Sequence, residues 1–352
     1  ADQDNAKTNE IYAVPIAGPA SAGIKLNDTV VNGGSLYAFV ISPDSKRVIY
    51  RGDQDSVEVR ELYSVPITGG VSPTKLNKTL VDNGDVEGFE IDPSSQLVVY
   101  SAYQDDSNVE ELYTVPIQGP ASAGKKISPS MAYGVWKFKL SADGQRVVYT
   151  AYQDSASALE LYSVPVQGPG SAAVKLNKTL VADGFVFVYE ISADSTRVVY
   201  SAEQDLQGQY ELYSVAIGGP ASAGLKLSSQ LASDGGVMRF GISPDSRRVV
   251  YTAEKQGMSP TTELYSIPII GPSSAGVKLN GPLANGGTAW YFEISPDATR
   301  VAYLADANEL DQDEVFTVPI TGPAASATIA SGPMVDGGGA ENASFSMSSQ
   351  RL

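Results

Sequence analysis

The chain of 352 residues contains no histidine and no cysteine. Without cysteine it can form no disulfide, no thiolate metal site and no thiol nucleophile. Without histidine its own residues cannot build a Ser-His-Asp triad or a histidine-ligated zinc site. Both absences make enzymatic activity unexpected, although glycoside hydrolysis by a pair of carboxyl groups needs neither residue.

Basic residues are scarce and long apolar runs are missing. The chain has 24 Lys and Arg against 40 Asp and Glu, a formal net charge of −16 and a pI near 4.4. Nucleic-acid binders gain most of their affinity from cationic side chains on phosphates, so we expect no nucleic-acid partner. No apolar run approaches the roughly 18 residues that cross a bilayer, so we expect no membrane insertion.

The N-terminal segment carries no hydrophobic core of a signal peptide, and the chain begins with Ala1. A processed, exported protein has these properties, as does a shortened chain. Because the chain is also cysteine-free and rich in small polar residues, we expect a secreted, periplasmic or cell-surface location.

A seven-residue segment recurs seven times, and its copies begin 51, 50, 49, 51, 52 and 51 residues apart. A period near fifty made of short β-rich segments is typical of propeller blades. One ring therefore accounts for residues 1–352 as a single domain of seven repeats. The copies are EIYAVPI from Glu10, ELYSVPI from Glu61, ELYTVPI from Glu111, ELYSVPV from Glu160, ELYSVAI from Glu211, ELYSIPI from Glu263 and EVFTVPI from Glu314.

Alternation and turn residues predict four antiparallel strands in each repeat. In the second complete repeat these are VEGFEI from Val86, LVVY from Leu97, ELYTVPI from Glu111 and a short segment that corresponds to the KLN sequence at Lys75. Sequences such as SPDS at Ser42 join the first two strands as hairpin turns, with Asp or Gly taking the tight-turn geometry. The fold is predicted to be an all-β, seven-bladed propeller of four-stranded blades.

Strand direction sorts the loops onto two faces. The SPDS turns and the GPASAG loops share one face, whereas the Asn/Asp-Gly loops and the longer Gln-Asp loops share the other. The second face carries most of the variation and most of the acidic residues. Long, variable, polar loops on a rigid scaffold are usual binding sites, so we expect recognition there.

The segment from Ile41 to Ile67, ISPDSKRVIYRGDQDSVEVRELYSVPI, resembles the WD40-like repeat of the TolB-type propellers. This pattern covers essentially the whole chain in seven copies. The resemblance implies the propeller fold and a scaffold or binding role. Relatives serve as periplasmic scaffolds, as gating domains of serine peptidases and as secreted binding proteins. This chain resembles the propeller alone, without their α/β-hydrolase or helical N-terminal domains.

The two ends of the chain complement each other. Ala1-Asp2-Gln3-Asp4 aligns with the segment from Ala102, which lies between a second and a third strand, and the chain ends with SFSMSSQRL inside a second strand. We therefore expect a composite last blade, with two strands from each terminus. Such closure would leave no exposed sheet edge.

Aromatic residues near the start of the innermost strands form the most irregular column of the repeat. Core packing would account for each of them singly. Together, near the mouth of a central channel, they could bind a sugar face or an apolar side chain of a partner. The predicted binding residues are Tyr37, Trp136, Phe187, Trp290 and Tyr291, with Arg239 as a neighbouring cation.

A Gln-Asp pair recurs six residues before the Glu of five repeats. A residue needed in every blade is expected to support its loop through hydrogen bonds to backbone amides. Some copies gather extra acid, and calcium takes six to eight oxygen ligands from such loops, so calcium is the one cofactor considered. The candidate ligands are Asp53, Asp55, Asp105, Asp106, Asp311 and Asp313.

The preferred functional hypothesis is a non-catalytic extracellular or periplasmic interaction module that binds a protein or glycan partner on the loop face around the channel. One alternative is a carbohydrate-active propeller, because glycoside hydrolysis needs only two carboxyl groups at the right separation. Another is a structural unit of a cell-surface layer or fibre. No sequence feature assigns any catalytic residue.

Overall fold

The computed structural model describes residues 8–131, 133–229, 231, 235–237, 239–255, 261–310, 312–332, 334–335 and 338–352. It divides into two compact units, residues 1–156 with 162–174 and residues 157–161 with 175–352. Strands and turns make up both units, and the described residues include no α-helix. Folding of the chain as a single domain stays a prediction.

Within the described residues the strands form seven antiparallel sheets that follow one another along the chain. The first three sheets belong to the first unit. They are β1 (Tyr12–Ala13) and β2 (Ile24–Lys25); β3 (Leu36–Ile41), β4 (Arg47–Gly52), β5 (Glu61–Pro66) and β6 (Thr74–Lys75); and β7 (Val86–Ile91), β8 (Leu97–Ala102), β9 (Glu111–Pro116) and β10 (Lys125–Lys126).

The remaining sheets have four strands each. The division between the units falls within the third and fourth strands of the first of them. They are β11 (Gly134–Leu140), β12 (Arg146–Tyr152), β13 (Glu160–Pro165) and β14 (Val174–Lys175); β15 (Val186–Ile191), β16 (Arg197–Ala202), β17 (Glu211–Ala216) and β18 (Leu225–Lys226); β19 (Arg239–Ile242), β20 (Arg248–Lys255), β21 (Thr261–Pro268) and β22 (Val277–Lys278); and β23 (Ala289–Ile294), β24 (Arg300–Ala305), β25 (Glu314–Pro319) and β26 (Thr328–Ile329).

Each four-stranded sheet is a meander in which neighbours in the chain are neighbours in the sheet. This is the blade of a propeller, so the predicted all-β, seven-bladed fold is confirmed. The first sheet has only the third and fourth strands of a blade, as the alignment of the N-terminus predicts. Completion of that sheet by the C-terminal residues stays a prediction.

Buried side chains of the second and third strands make the core. In the first unit, Ile49, Leu62 and Leu76 of one sheet pack with Val98 and Tyr100 of the next. Each sheet buries an apolar face against its neighbour in the same unit, as expected of repeats too small to hold a core alone. Six tight 3₁₀ turns join third to fourth strands, at Ala20–Ala22, Ala121–Ala123, Gly170–Ala172, Ala221–Ala223, Ser273–Ala275 and Ala324–Ser326.

A tyrosine pair recurs inside the sheets. The rings of Tyr50 on β4 and Tyr63 on β5 stack with centroids 5.2 Å apart, and corresponding pairs stack in the later sheets. The Tyr50 hydroxyl donates to Gln54 Oε1 at 2.6 Å. The Gln of the Gln-Asp pair therefore supports the sheet through a core tyrosine in addition to backbone groups.

A lysine of the fourth strand binds the acidic groups of its own repeat. Lys75 Nζ lies 2.6 Å from Glu61 Oε2 and 2.9 Å from Asp55 Oδ2. Tyr63 donates to the same Glu61 at 3.0 Å. The Asp of the Gln-Asp pair thus pairs with a lysine, whereas the sequence predicted backbone amides as its partners.

The hairpin turns between first and second strands connect successive repeats. Ser42 Oγ donates to Asp44 Oδ1 at 2.7 Å, and Ser45 takes the left-handed conformation at φ 58°. The Asp44 N–H then donates to Ser95 Oγ, 51 residues away, at 3.0 Å. The left-handed residue in most repeats is therefore a serine rather than the predicted Asp or Gly, and its side chain bonds the preceding turn.

Candidate functional site

Five first strands of the described part contain a β-bulge at the same position. In β3 the register passes from Leu36 opposite Gly52 to Ala38 opposite Arg51, which leaves one residue unpaired between them. A bulge aims its extra side chain away from the regular sheet positions. The bulge residues are Tyr37, Glu87, Trp136, Phe187 and Trp290.

Four of the five bulge residues belong to the irregular aromatic column of the sequence, whereas Tyr291 of that column lies one residue after a bulge and pairs with Leu304. Their exposed fractions are 72% for Trp136, 54% for Tyr37, 46% for Phe187 and 43% for Trp290. Core packing is thus not what holds these four rings, because each is a large apolar group facing solvent. Their role in binding stays a prediction, as does their position at a channel.

In the first unit, charged residues surround Tyr37 and Glu87. Arg60 Nη2 lies 2.7 Å from Asp85 Oδ2 and 2.8 Å from Glu87 Oε1, and Arg51 Nη1 lies 3.8 Å from Glu87 Oε2. These pairs hold the Glu87 bulge side chain in place. They leave the surface between Tyr37 and Trp136 rich in fixed charge.

Tyr37 lies beside a buried carboxylate. Its hydroxyl donates to Asp53 Oδ2 at 2.9 Å, and Asp53 is only 2% exposed. Burial, followed by the hydrogen bond to this anionic neighbour, raises the pKa of Tyr37. The ring of Tyr37 is therefore fixed by its hydroxyl while the remainder of the side chain stays accessible.

Trp136 lies over a cavity of about 380 Å³ in the first unit. The cavity is lined by carboxyl groups as well as aromatic rings, and Glu110 is the most informative of them. Burial raises the pKa of the Glu110 carboxyl, and the nearby Glu87 charge adds to this, whereas a hydrogen bond to Ser101 and the charge of Arg51 oppose it. Burial also raises the pKa of Glu90, which accepts the Leu140 N–H at 2.7 Å.

In the second unit the predicted residues contact one another. Trp290 Nε1 donates to Asp313, with both carboxylate oxygens 3.0 Å away, and the Trp290 and Tyr291 rings meet edge to face at 5.9 Å. The Arg239 guanidinium lies 4.5 Å from the centroid of the Tyr291 ring, which is a cation–π contact. Phe187 packs against Tyr210 at 5.3 Å.

The acidic residues predicted to bind calcium have other partners in the structure. Asp55 pairs with Lys75 at 2.9 Å, Asp105 lies 3.8 Å from Lys126, and Asp106 accepts the Asn108 N–H at 2.8 Å. Among the described residues, no three Asp or Glu side chains lie together as a metal site. Asp311 lies outside the described residues, and calcium binding at this set stays a prediction.

Glu110 and Gly88 are the site residues that sequence reasoning did not single out. The bulge aromatics stood out because they vary within one column of the repeat. Gly88 carries the same kind of signal, because glycine stands there where other repeats have larger side chains. Glu110 stands directly before Glu111, which begins the recurrent segment, and no repeating pattern marks Glu110 itself.

A comparison of the sequence with models of protein families gave no match, and a comparison with curated proteins gave none. Solved structures similar to this chain include a putative TolB from Agrobacterium tumefaciens, 16% identical, covering 69% of this chain and 79% of that one with a TM-score of 0.39. TolB from Acinetobacter baumannii is 13% identical and covers 79% of this chain and 62% of that one, with a TM-score of 0.36.

A structure from a study of two prolyl endopeptidases covers 92% of this chain at 14% identity with a TM-score of 0.50. This chain spans 46% of that protein's length. No helix in the described residues is long and apolar enough to cross a bilayer. At these identities the likenesses concern fold alone. The repeated four-stranded sheets show that the chain has the β-propeller fold, and they confirm its predicted resemblance to the TolB-type propellers at that level. The prolyl endopeptidase structure agrees with this fold.

Proposed function

We propose that the chain is a non-catalytic, exported interaction module that binds a protein partner through its bulge residues. The observation that carries the proposal is the exposure of Tyr37, Trp136, Phe187 and Trp290 at one repeated bulge position. Exposed rings on rigid strands can bury a large apolar area on binding with little loss of side-chain freedom. A glycan is the other partner class for the same surface.

The absence of histidine and cysteine favours binding over catalysis. The resemblance of the repeat to TolB-type propellers, which include scaffolds without catalytic groups, points the same way. The acidic composition suits a soluble exported protein and a partner that carries positive charge.

Alanine substitutions at Trp136 and Trp290 test the proposal. Wild-type protein and each variant are immobilised and exposed to the culture from which the protein comes, and retained proteins are identified and titrated. We expect both variants to bind the same partner at least about 30-fold more weakly, because central aromatic anchors contribute about 2 kcal/mol or more. Retention at the wild-type level by both variants would refute the proposal.

Matched controls remove exposed apolar groups from the opposite ends of the sheets. Val71 lies between β5 and β6, and Ile270 lies between β21 and β22, and both are exposed. Val71→Ala and Ile270→Ala should bind the partner as the wild type does. Equal loss in the control variants would mean that the effect is not specific to the bulge residues.

The raised pKa values of Glu90 and Glu110 favour glycan cleavage as a second candidate function. A carboxyl group that stays protonated closer to neutral pH can act as a general acid, and an exposed tryptophan can hold a sugar ring. Turnover of a polysaccharide that Glu110→Gln abolishes would establish this alternative. Absence of turnover across a polysaccharide panel would leave binding as the function.

A further inference from the structure

The cavity beside Trp136 has the chemistry of a pocket for a cation. Its walls include the rings of Tyr103, Trp136 and Phe138 and the carboxyl groups of Glu90 and Glu110. The cavity lies wholly within the first unit and has a volume of about 380 Å³. Aromatic faces and carboxylates are the two groups that attract ammonium and guanidinium ions most strongly.

A single glycine helps to keep the cavity open. Gly88 lies one residue after the bulge of β7, and a Cβ built there would be 3.4 Å from both Phe138 and Ser101 Oγ. The corresponding positions hold Ala38, Lys137, Val188, Arg239 and Tyr291 in other repeats. Most of those side chains would extend into the space, so the cavity belongs to this repeat and is not a general property of the blade.

Glu110 supplies the charge of the pocket. It makes no ion pair within 4.0 Å in the described part of the chain, whereas Glu87 next to it is paired with Arg60 at 2.8 Å. A half-buried carboxylate without an ion-pair partner carries a desolvation cost that a cation would offset. Its raised pKa is the thermodynamic sign of that cost.

Trp136 offers the matching apolar surface. It is 72% exposed and has no ring-to-ring contact among the described residues. A flat guanidinium or a lysine ammonium against this ring would bury both the ring and the aliphatic stem of the cationic side chain. Lys137 also lines the cavity, and its ammonium reduces the attraction for a cation there, although its exposure to solvent screens that charge.

We propose that this cavity binds an arginine or lysine side chain of the partner protein, between the Trp136 ring and the Glu110 carboxylate. The inference rests on the proposed function and names the chemistry of the partner at this one site. It also agrees with the net charge of −16, which attracts basic partners over longer distances.

The two tryptophans of the chain provide a direct readout. The Trp290→Phe variant leaves Trp136 as the only tryptophan, so its fluorescence reports on the cavity. This variant is titrated at low ionic strength with acetyl-Gly-Arg-Gly-amide, and in parallel with the citrulline peptide, which has nearly the same shape without the charge. The lysine peptide and its acetyl-lysine counterpart form a second pair.

We expect saturable changes in Trp136 emission with the arginine or lysine peptide and none with their neutral counterparts. Glu110→Gln in the same background should weaken binding by about tenfold, or about 1.4 kcal/mol, because the charge that attracts the cation is removed. Glu309→Gln is the matched control, because it changes the net charge equally at an exposed position. It should leave the affinity unchanged.

Gly88→Val tests the shape of the cavity without changing any charge. Valine occupies the corresponding position of another repeat as Val188, so the blade accommodates this side chain. We expect Gly88→Val to abolish the fluorescence response while the thermal midpoint confirms that the protein is folded. Gly88→Ala, with its shorter side chain, should retain part of the affinity.

Several outcomes would overturn the inference. Equal responses to the arginine and citrulline peptides would show that charge is not recognised, and equal effects of the Glu110 and Glu309 variants would show only general electrostatic attraction. A saturable response to a neutral oligosaccharide with none to the peptides would assign the cavity to a glycan. If Trp136→Ala still loses a protein partner while no peptide binds, the proposed function stands and this inference fails.

Discussion

Replacement of Asn77 measures how much one recurring hydrogen-bonding residue contributes to a sheet. Asn77 is buried after β6, and its Oδ1 accepts the Leu62 N–H at 2.8 Å while its Nδ2 donates to the Lys78 carbonyl at 2.9 Å. The next repeat has Ser128 in this position, whose Oγ accepts the Leu112 N–H at 3.1 Å. Serine therefore satisfies the strand N–H but has no second donor for the carbonyl.

The structure gives separate magnitudes for Asn77→Ala and Asn77→Ser. Alanine leaves the buried Leu62 N–H without an acceptor, which costs about 1–3 kcal/mol, and removes the bond to Lys78, which costs about 0.5–1.5 kcal/mol. We expect Asn77→Ala to lose about 2–4 kcal/mol of unfolding free energy. Asn77→Ser should lose about 1 kcal/mol, because the first bond is replaced.

Equilibrium urea unfolding, followed by intrinsic fluorescence, compares the two variants with the wild type. Asn108→Ala is the control, because Asn108 is exposed and bonds only to residues beside it in the chain. Its effect should be within about 0.5 kcal/mol. Equal losses for the alanine and serine variants at position 77 would refute the assignment of the cost to the Leu62 N–H.

Four further predictions concern charge and titration. Burial raises the pKa of Glu110, so its ionisation opposes folding as pH rises above the ordinary pKa of a glutamate. In pH-dependent urea unfolding, Glu110→Gln should therefore gain stability over the wild type as pH rises, and a constant difference would contradict this. Burial likewise raises the pKa of Tyr303 to about 12. Ultraviolet titration should therefore show tyrosine that ionises at a higher pH than exposed phenols do, and ionisation of all tyrosines near pH 10 in the folded protein would contradict this. Lys75→Met should lose about 1–3 kcal/mol of unfolding free energy in urea, because it leaves the buried Glu61 without its cationic partner. Lys46→Met breaks an exposed ion pair and should lose less than about 0.5 kcal/mol. Similar losses in the two variants would refute this difference between the buried and the exposed pair. Calcium binding predicts a higher thermal midpoint with calcium than with a chelator, and identical midpoints would refute it.

The strands could be predicted from the sequence because the repeat shows the same alternation in every copy. Val86–Ile91, Leu97–Ala102 and Glu111–Pro116 form strands where alternating apolar residues and turn sequences place them. The bulge could not be predicted in this way. It depends on how many residues of β3 face β4, and a one-residue change of phase is too short a signal to recognise within a strand of six residues.

The electrostatic partners within a repeat were only partly predictable. Recurrence showed that Asp55 has a role in the blade, but the sequence could not place Lys75 beside it, since that contact depends on how the fourth strand pairs with the third. The only sign of this pair in the sequence was that an Asp and a Lys recur at these two positions in the same repeats.

The candidate site could also be predicted only in part from the sequence. The irregular aromatic column identified Trp136, and the structure places its side chain in solvent at the bulge. Gly88 and Glu110 required the fold, because their contribution is a space and a half-buried charge beside that ring. Such properties arise from packing between neighbouring sheets of the first unit and have no fixed sequence spacing.

The bulge position also has a consequence for how such a chain can diversify. Its residue is unpaired in the ladder, and in this one chain it is already Tyr37, Glu87, Trp136, Phe187 or Trp290. Side chains of different size and charge therefore occupy one backbone setting without altering the strands on either side. Under the proposed binding role, a single substitution at this position would change what one repeat recognises, and these five residues could be exchanged for one another on an unchanged scaffold.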